Sequence, residues 1–292
     1  MTPLRQKMIE ELQRRNYSKA TIESYVFSVK DFAEHFHKSP ALLGAEEIRQ
    51  YQLYLINDRK LSAQTIMVRI AALRFFYWKV LKRRDLWFDD IPMPKRTKKN
   101  PVVLSPAEII RLIEAAGSLM HRTILILLYA TGIRRAELSR LKVSDLDSQR
   151  LVIHIQQGKG RRDRDIPMTP SVLEILKRYW LHARPTIYLF PSPGAANEVE
   201  KPISSKTVWN VVHAAAVRAG LTKRIGPHSF RHSFATHHIE GGTDLAVLQS
   251  LLGHADIKDT VIYVHLSQRK MREAVNPIDR LKLQSPAADV QL

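Results

Sequence analysis

Apolar residues recur every three or four positions along the first ninety or so residues, which predicts a bundle of amphipathic helices. In the segment SKATIESYVFSVKDFAEHF the repeating positions are Ile22, Tyr25, Val29, Phe32, Ala33 and Phe36. In the segment SAQTIMVRIAALRFFYWKVL they are Ile66, Ile70, Leu73, Phe76 and Val80. Each segment begins at a serine, Ser18 or Ser62, which can cap a helix. We therefore predict a helical amino-terminal domain over residues 1–91.

The pattern stops in the segment IPMPKRTKKNPVVL, which has three prolines, four basic residues and no period. Such a composition predicts an extended basic linker, placed at residues 92–104. The next residues are typical of a helix start, because Ser105 can cap, Pro106 suits the first helical position and Glu108 can close a capping box. A second domain is therefore predicted over 105–283, followed by a polar tail at 284–292 that we expect to be disordered.

The second domain begins with helical patterns, among them the strongly apolar RTILILLYATG, which ends at Gly132. The segment RLVIHIQQGKGRRDRDIPM then places two β-rich stretches around a glycine-containing turn, which predicts a β-hairpin. Helical patterns follow up to the tail. The predicted fold class is mainly α with a small antiparallel β-sheet.

The charge of the chain points to a polyanionic partner. Lys and Arg number 46 against 28 Asp and Glu, which gives a net charge of +18. Nucleic acid is the leading partner, since a polyanion releases counterions when it binds such a surface. No apolar run approaches the roughly 18 residues that span a membrane, and the start of the chain is too charged for a signal peptide. There is no cysteine, so disulfides, thiol catalysis and thiolate metal sites are excluded; this fits a cytoplasmic protein.

Basic residues on the polar faces and in the predicted linker and hairpin are candidates for contacts with DNA phosphates. A solvated surface explains any one of them about as well. The candidates are Lys19, Arg69, Arg74, Lys79, Lys95, Arg96, Lys98, Lys99, Arg161 and Arg162.

The segment IGPHSFRHSFATHHIEGG, residues 225–242, places an arginine among histidines. By itself it fits a metal site, a phosphate site or a polar helix face. Arg231 is a permanent cation three residues from His228 and next to His232, so it opposes a bound divalent ion. A phosphate instead accepts a guanidinium and a neighbouring imidazole together.

Three other segments offer groups suited to phosphoryl transfer. TGIRRAEL places Arg134 and Arg135 after a glycine, QGKGRRDR places Lys159 at a turn, and LLGHADIKDTVIYVH places His254 nine residues before Tyr263. Each segment alone is a weak signal. Their joint order is a strong one, because the chain then holds two arginines, a lysine, two histidines and a tyrosine.

In that order, TGIR, GKG, HSFR, LGH and IYVH resemble the tyrosine recombinase (phage integrase) family. The resemblance spans nearly the whole chain and implies a helical core-binding (SAM-like) domain and a catalytic domain that form a clamp around DNA. It implies no metal and no cofactor. Glu137 matches an acidic position that supports Arg134, and the family register favours Arg134 over Arg135.

The resemblance also implies a role for each residue. Tyr263 is the nucleophile that forms a 3′-phosphotyrosine link, while Arg134 and Arg231 stabilise charge on the non-bridging oxygens. His228 helps with the tyrosine proton, Lys159 protonates the leaving 5′-oxygen and His254 positions a non-bridging oxygen. His232, His237 and His238 are expected to pack or to face solvent.

Several stretches, among them RFFYWKVL and NPID, look close to integron integrases, and others are typical of Xer-type recombinases. The segment before HSFR leaves no room for the inserted segment of integron integrases, so we predict a small mobile-element or Xer-like recombinase of a bacterium, associated with the nucleoid through DNA. It would act in integration, excision or resolution, as a tetramer whose carboxy-terminal segment docks on a neighbouring subunit, with or without a second recombinase or accessory protein. A type IB topoisomerase and a non-catalytic DNA-binding regulator are the alternatives.

Overall fold

The computed structural model describes residues 2–83, 91–95, 101–156, 163–193 and 200–267. The chain divides into two compact units, Met1–Lys99 and Asn100–Leu292, which are described separately. In the described ranges no helix is both long and apolar enough to cross a membrane.

The first unit is a helical bundle. Its helices are α1 (Pro3–Arg14), α2 (Lys19–Phe36), α3 (Ala45–Asn57) and α4 (Ala63–Phe75), with a short 3₁₀ turn at Pro40–Leu42. The serine caps are confirmed, since Ser18 accepts a hydrogen bond from the Thr21 amide and Ser62 accepts one from the Thr65 amide, both at 3.2 Å. The apolar positions of both patterns, with the exception of Ala33, lie in the buried core or pack against it.

A π-helical segment, Phe76–Val80, follows α4, which the apolar periodicity did not predict. The Leu81 amide donates to the Phe76 carbonyl at 3.0 Å, which closes a wider turn than an α-helix has. This turn allows adjacent Phe75, Phe76 and Tyr77 all to be buried.

Arg69, which was predicted to contact DNA, lies inside the bundle and not on its surface. The Arg69 residue is only 7% exposed and forms an ion pair with Asp31 on α2. Its Nη1 also donates to the Tyr51 hydroxyl at 2.6 Å. The side chain therefore links three helices inside the bundle, because a buried guanidinium requires a carboxylate partner.

The other basic candidates of this unit differ in exposure. Lys19, Lys79 and Lys95 are exposed, whereas Arg74 is half-buried with its guanidinium 5.4 Å from the centre of the Trp78 ring. Arg96, Lys98 and Lys99 lie outside the described residues.

The second unit opens at the predicted capping box. Ser105 Oγ accepts from the Glu108 amide at 3.3 Å and the Glu108 carboxylate accepts from the Ser105 amide at 2.8 Å. The helices are α5 (Pro106–Glu114), α6 (Leu119–Thr131), α7 (Arg135–Ser139), α8 (Pro170–Ala183), α9 (Ser205–Arg218), α10 (Pro227–Glu240), α11 (Leu245–Leu252) and α12 (Lys258–Leu266).

A small antiparallel sheet lies between α7 and α8. Its strands are β1 (Leu146–Asp147), β2 (Val152–Ile155) and β3 (Arg164–Pro167), in the order β1-β2-β3. Val152 pairs with Pro167 and Ile155 with Arg164, so β2 and β3 form the predicted hairpin. The prediction of a mainly helical fold with a small antiparallel sheet is confirmed.

Candidate active site

Two glycine-capped helix ends place the segments that carry the candidate residues. Gly132 ends α6 and Gly253 ends α11, both in the left-handed region with φ of 58° and 60°. A Cβ at Gly132 would lie 2.5 Å from Phe234 Cδ1, and a Cβ at Gly253 would lie 2.8 Å from Arg164 Cδ. Both turns therefore require glycine for conformation and for space.

Arginine side chains bind the carbonyl groups at these helix ends. Arg231, on α10, donates from Nη1 to the Gly132 carbonyl at 2.7 Å and from Nη2 to the Leu252 carbonyl at 2.6 Å. Arg134 Nη2 donates to the Gly253 carbonyl at 3.0 Å. The last carbonyls of a helix lack partners within the helix and carry partial negative charge, so these cations stabilise them. The contacts bring together Arg134 and Arg231, which lie 97 positions apart in sequence (231 minus 134).

A single carboxylate lies against this cluster. Glu137 accepts from Arg134 Nη1 at 2.9 Å and from the Arg134 amide at 3.0 Å. It also accepts from Arg164 at 3.2 Å and 2.7 Å. Burial would raise the pKa of Glu137, but the hydrogen bonds from the two arginines outweigh burial and keep that pKa below its ordinary value. Glu137 is therefore ionised at neutral pH.

The cluster has an excess of positive charge. Burial, and then the nearby Arg134, lower the pKa of Arg231 to about 10, so its guanidinium stays protonated at neutral pH. Among the described residues, Glu137 is the only carboxylate that forms an ion pair with Arg134, Arg164 or Arg231. Three cations and one anion leave a charge of about +2, which favours an anionic ligand such as a phosphodiester.

Tyr263 lies at the edge of the arginine cluster, on α12. The residue is 2% exposed, and its hydroxyl lies 3.2 Å from Nδ1 of His232 on α10. Its ring stacks on His254, with the centroids 6.3 Å apart and an interplanar angle of 14°. Burial raises the pKa of Tyr263, while the cationic Arg231 and Arg134 oppose that rise.

The two histidines beside Tyr263 are neutral. Burial, with help from nearby cations, lowers the pKa of His232 and the pKa of His254 to about 4 each. His254 Nδ1 lies 2.8 Å from the Thr260 hydroxyl, which fixes the imidazole on the first turn of α12. A neutral His232 can accept the hydrogen bond that the Tyr263 hydroxyl donates.

His228 occupies the first turn of α10 and is exposed. It lines an open cavity of about 760 Å³ together with Arg134, Arg135, Arg140 and Lys142. Arg135 is exposed in this cavity, whereas Arg134 contacts both Glu137 and Gly253. The geometry therefore distinguishes the two adjacent arginines, which sequence spacing did not.

The remaining predicted residues are distributed as follows. Lys159, Arg161 and Arg162 lie outside the described residues. His237 Nδ1 lies 2.8 Å from the Tyr129 hydroxyl and His238 Nδ1 lies 2.9 Å from Thr243, so both are held within the fold.

Sequence reasoning missed Arg164, the His232 contact with Tyr263 and the Thr260 contact with His254. Arg164 is one of three arginines in the segment GRRDR, and nothing in the sequence singles it out. His232 directly follows Arg231 in the sequence, which could have drawn attention to it. Helical spacing alone, however, did not show that α12 packs against α10 at His232.

Comparison with known proteins gives the class of this chain. Residues 103–270 match the phage integrase family, and residues 4–85 match the N-terminal SAM-like domain of phage integrases. A putative integrase/recombinase of Sinorhizobium fredii is 41% identical over 98% of this chain and 92% of its own length. Tyrosine recombinase XerA of Pyrococcus horikoshii is 32% identical over 90% of this chain and 89% of its own.

Solved structures agree with this assignment. A crystal structure of XerA recombinase matches at 31% identity with a TM-score of 0.53, over 92% of this chain and 95% of that one. XerH site-specific recombinase bound to a palindromic difH substrate shares the fold, with a TM-score of 0.70 at 22% identity over 89% of this chain and 80% of that one.

The chain belongs to the phage integrase family of tyrosine recombinases. It is a DNA-binding enzyme of site-specific recombination, which cleaves and rejoins DNA strands.

Proposed function

We propose that Tyr263 is the nucleophile of this recombinase and that it forms a transient 3′-phosphotyrosine link with DNA. The observation that carries the proposal is the position of Tyr263, whose hydroxyl lies at the edge of a cluster of arginines with an excess of positive charge. The Tyr263 oxygen attacks phosphorus and the bond from phosphorus to the 5′-oxygen breaks. The free 5′-hydroxyl of another strand then attacks the link and releases the tyrosine, so the bond energy is conserved.

Arg134 and Arg231 supply the electrostatic part of the reaction. Both guanidiniums are fixed by backbone carbonyls before DNA binds, so little reorganisation is needed as negative charge grows on the non-bridging oxygens. Removal of one such donor typically costs about 100- to 1,000-fold in rate. His254, held by Thr260, is placed to hydrogen-bond a non-bridging oxygen.

The proton steps are assigned to His228 and Lys159. His228 is exposed in the cavity beside Arg134, where a bound phosphodiester would lie, and we propose that it accepts the tyrosine proton. His232 holds the Tyr263 hydroxyl before DNA binds. Lys159 is proposed to protonate the leaving 5′-oxygen, on the strength of the sequence resemblance.

The first experiment tests for the covalent intermediate. Labelled duplexes that cover the DNA flanking the gene, each nicked so that the 5′-hydroxyl fragment diffuses away, are incubated with wild type and with Tyr263→Phe. We expect a protein–DNA adduct that survives denaturation, with the wild type only. An adduct with Tyr263→Phe would refute the choice of nucleophile, and a bound duplex without any adduct would favour the non-catalytic regulator.

A second measurement separates recombination from topoisomerase activity. Relaxation of a supercoiled plasmid without the cleaved sequence is expected to be negligible, because the adduct should depend on a defined site. Sequence-independent relaxation by a monomer would favour the type IB alternative.

We also propose that synapsis uses a tetramer in which residues 268–292, outside the described residues, dock on a neighbour. A chain truncated after Ser267 should then bind duplex but assemble less cooperatively on it.

A further inference from the structure

Arg164 begins strand β3, and its side chain is 7% exposed. Its Nε donates to the Leu251 carbonyl at 3.0 Å. Its Nη1 and Nη2 donate to the two carboxylate oxygens of Glu137 at 3.2 Å and 2.7 Å. One guanidinium therefore joins a sheet strand, the end of α11 and the carboxylate that contacts Arg134.

We propose that Arg164 is a positioning residue of the active site, which holds Glu137 and the end of α11 in the arrangement that directs Arg134 toward the scissile phosphate. The proposal rests on the function proposed above, in which Arg134 contacts that phosphate.

The end of α11 shows how Arg164 takes part. The carbonyls of Leu251, Leu252 and Gly253 are three consecutive acceptors, and each binds a different arginine: Arg164, Arg231 and Arg134 in that order. The preceding carbonyls of Gln249 and Ser250 accept the amides of His254 and Gly253 in the helix cap. The turn that precedes His254 thus fixes all three guanidiniums relative to one another.

Glu137 gives the physical reason why Arg164 matters for Arg134. Glu137 faces Arg164 with both oxygens, so it contacts the Arg134 guanidinium through Nη1 alone. Without Arg164, the carboxylate could turn and bind Arg134 through two parallel hydrogen bonds, the geometry that arginine and carboxylate prefer. The carboxylate would then compete with the phosphate for the donors of Arg134.

The absence of a side chain at Gly253 also allows the Arg164 side chain to occupy its observed position. A Cβ at this position would lie 2.8 Å from Arg164 Cδ and 3.2 Å from its Nε. The Arg164 side chain therefore crosses directly over the glycine. The Gly253 carbonyl accepts a hydrogen bond from Arg134 Nη2, so Arg164 and Arg134 both contact this one residue.

The test uses full-length Arg164→Gln and Arg164→Lys, with Arg178→Gln as the control. Arg178 is exposed on α8 of the same unit and pairs with Glu174, so its loss removes an arginine and a salt bridge away from the site. The duplex is the one that gives the wild-type adduct. Three quantities are measured: affinity for the intact duplex, the rate of adduct formation at saturating protein, and the melting temperature.

We expect Arg164→Gln to bind duplex within about threefold of wild type and to form the adduct about 100-fold more slowly, since small misplacements of catalytic groups have costs of that order. Arg164→Lys keeps the charge but cannot form two parallel bonds, so we expect a loss of about tenfold. Arg178→Gln should match the wild type. If Arg164 acts through Glu137, the double variant Arg164→Gln/Glu137→Gln should be about as slow as the slower single variant, not slower by the product of both effects.

Three results would overturn the inference: an adduct rate for Arg164→Gln within threefold of wild type, a loss of affinity equal to the loss of rate, or fully multiplicative effects with Glu137→Gln. If Arg164→Gln does not fold, Arg164→Lys is judged by the same criteria. Failure of the wild type to form an adduct that depends on Tyr263 would instead refute the proposed function, so the two failures are distinguishable.

Discussion

The buried Glu137 carboxylate offers the sharpest test of how the site is held together, and the variant Glu137→Gln removes its charge with little change of shape. Glu137 is 8% exposed and accepts four hydrogen bonds, three of them from the guanidiniums of Arg134 and Arg164. Glutamine keeps one acceptor but turns an amide donor toward guanidinium donors. The two arginines also lose their only carboxylate among the described residues.

Loss of one partner of a buried ion pair typically costs about 3 to 5 kcal/mol. We therefore expect Glu137→Gln to lower the free energy of unfolding of the second unit by about 3 kcal/mol. This value is at the low end of the range because the Arg134 side chain is 18% exposed, so water solvates part of its charge. The surface variant Glu174→Gln, which removes the exposed Arg178 pair, should cost at most about 1 kcal/mol.

The effect should also depend on pH in a defined direction. Since the pKa of Glu137 is lowered from its ordinary value of 4.5 in the folded chain, the carboxylate stabilises the fold at pH values above 4.5. That stability is lost as the pH falls through the lowered pKa, because the protonated acid resembles the amide. The difference between wild type and Glu137→Gln should thus be largest near neutral pH and shrink in acid.

Hydrogen–deuterium exchange in a series of urea concentrations measures the free energy of unfolding of the second unit separately from the first. The exchange is read by mass spectrometry from peptides within residues 101–156, 163–193 and 200–267. A loss below about 0.5 kcal/mol at neutral pH, the range of ordinary surface substitutions, would refute the reasoning. So would a difference that does not change as the pH falls.

Three further predictions address the turns, the basic surface and the histidines. Gly132→Ala should destabilise the second unit by about 2 to 4 kcal/mol, because an alanine there has a strained left-handed backbone and overlaps with Phe234. Gly242→Ala, at a φ of 87° with open space around it, should cost only the backbone strain of about 1 to 2 kcal/mol. Equal losses in urea unfolding would contradict this prediction. Arg69→Gln should lower the melting temperature of the first unit without changing the salt dependence of DNA binding, because Arg69 is paired with Asp31. Lys79→Gln should reduce the slope of log affinity against log salt by about 1 if that lysine contacts a phosphate. The reverse pattern in gel-shift titrations would identify Arg69 as the contact. His228→Asn should slow adduct formation by about 100-fold or more. His232→Asn should slow it by less, since His232 contacts the Tyr263 hydroxyl but does not receive its proton. Single-turnover rates that rank the two variants the other way would identify His232 as the proton acceptor.

The sequence determined the local elements of this protein well, because their signals are local. Ser18, Ser62 and the Ser105–Glu108 box begin helices for reasons contained in a few neighbouring residues. The apolar repeats indicated which faces are buried, and the two β-rich stretches around a glycine-containing turn indicated β2 and β3. The order of arginine, lysine, histidine and tyrosine motifs also indicated the family, which the comparisons confirm.

Tertiary structure decided which polar groups meet. Arg69 and Lys79 look alike in a periodic pattern, but only Arg69 finds a carboxylate across the bundle, so it is buried while Lys79 is exposed. Arg134 and Arg135 are adjacent, yet the carbonyl of Gly253, more than a hundred positions away, selects the first. A guanidinium can be buried only where distant acceptors converge on it. That convergence is a property of how α6, α10, α11 and β3 pack, and no local pattern in the sequence contains it.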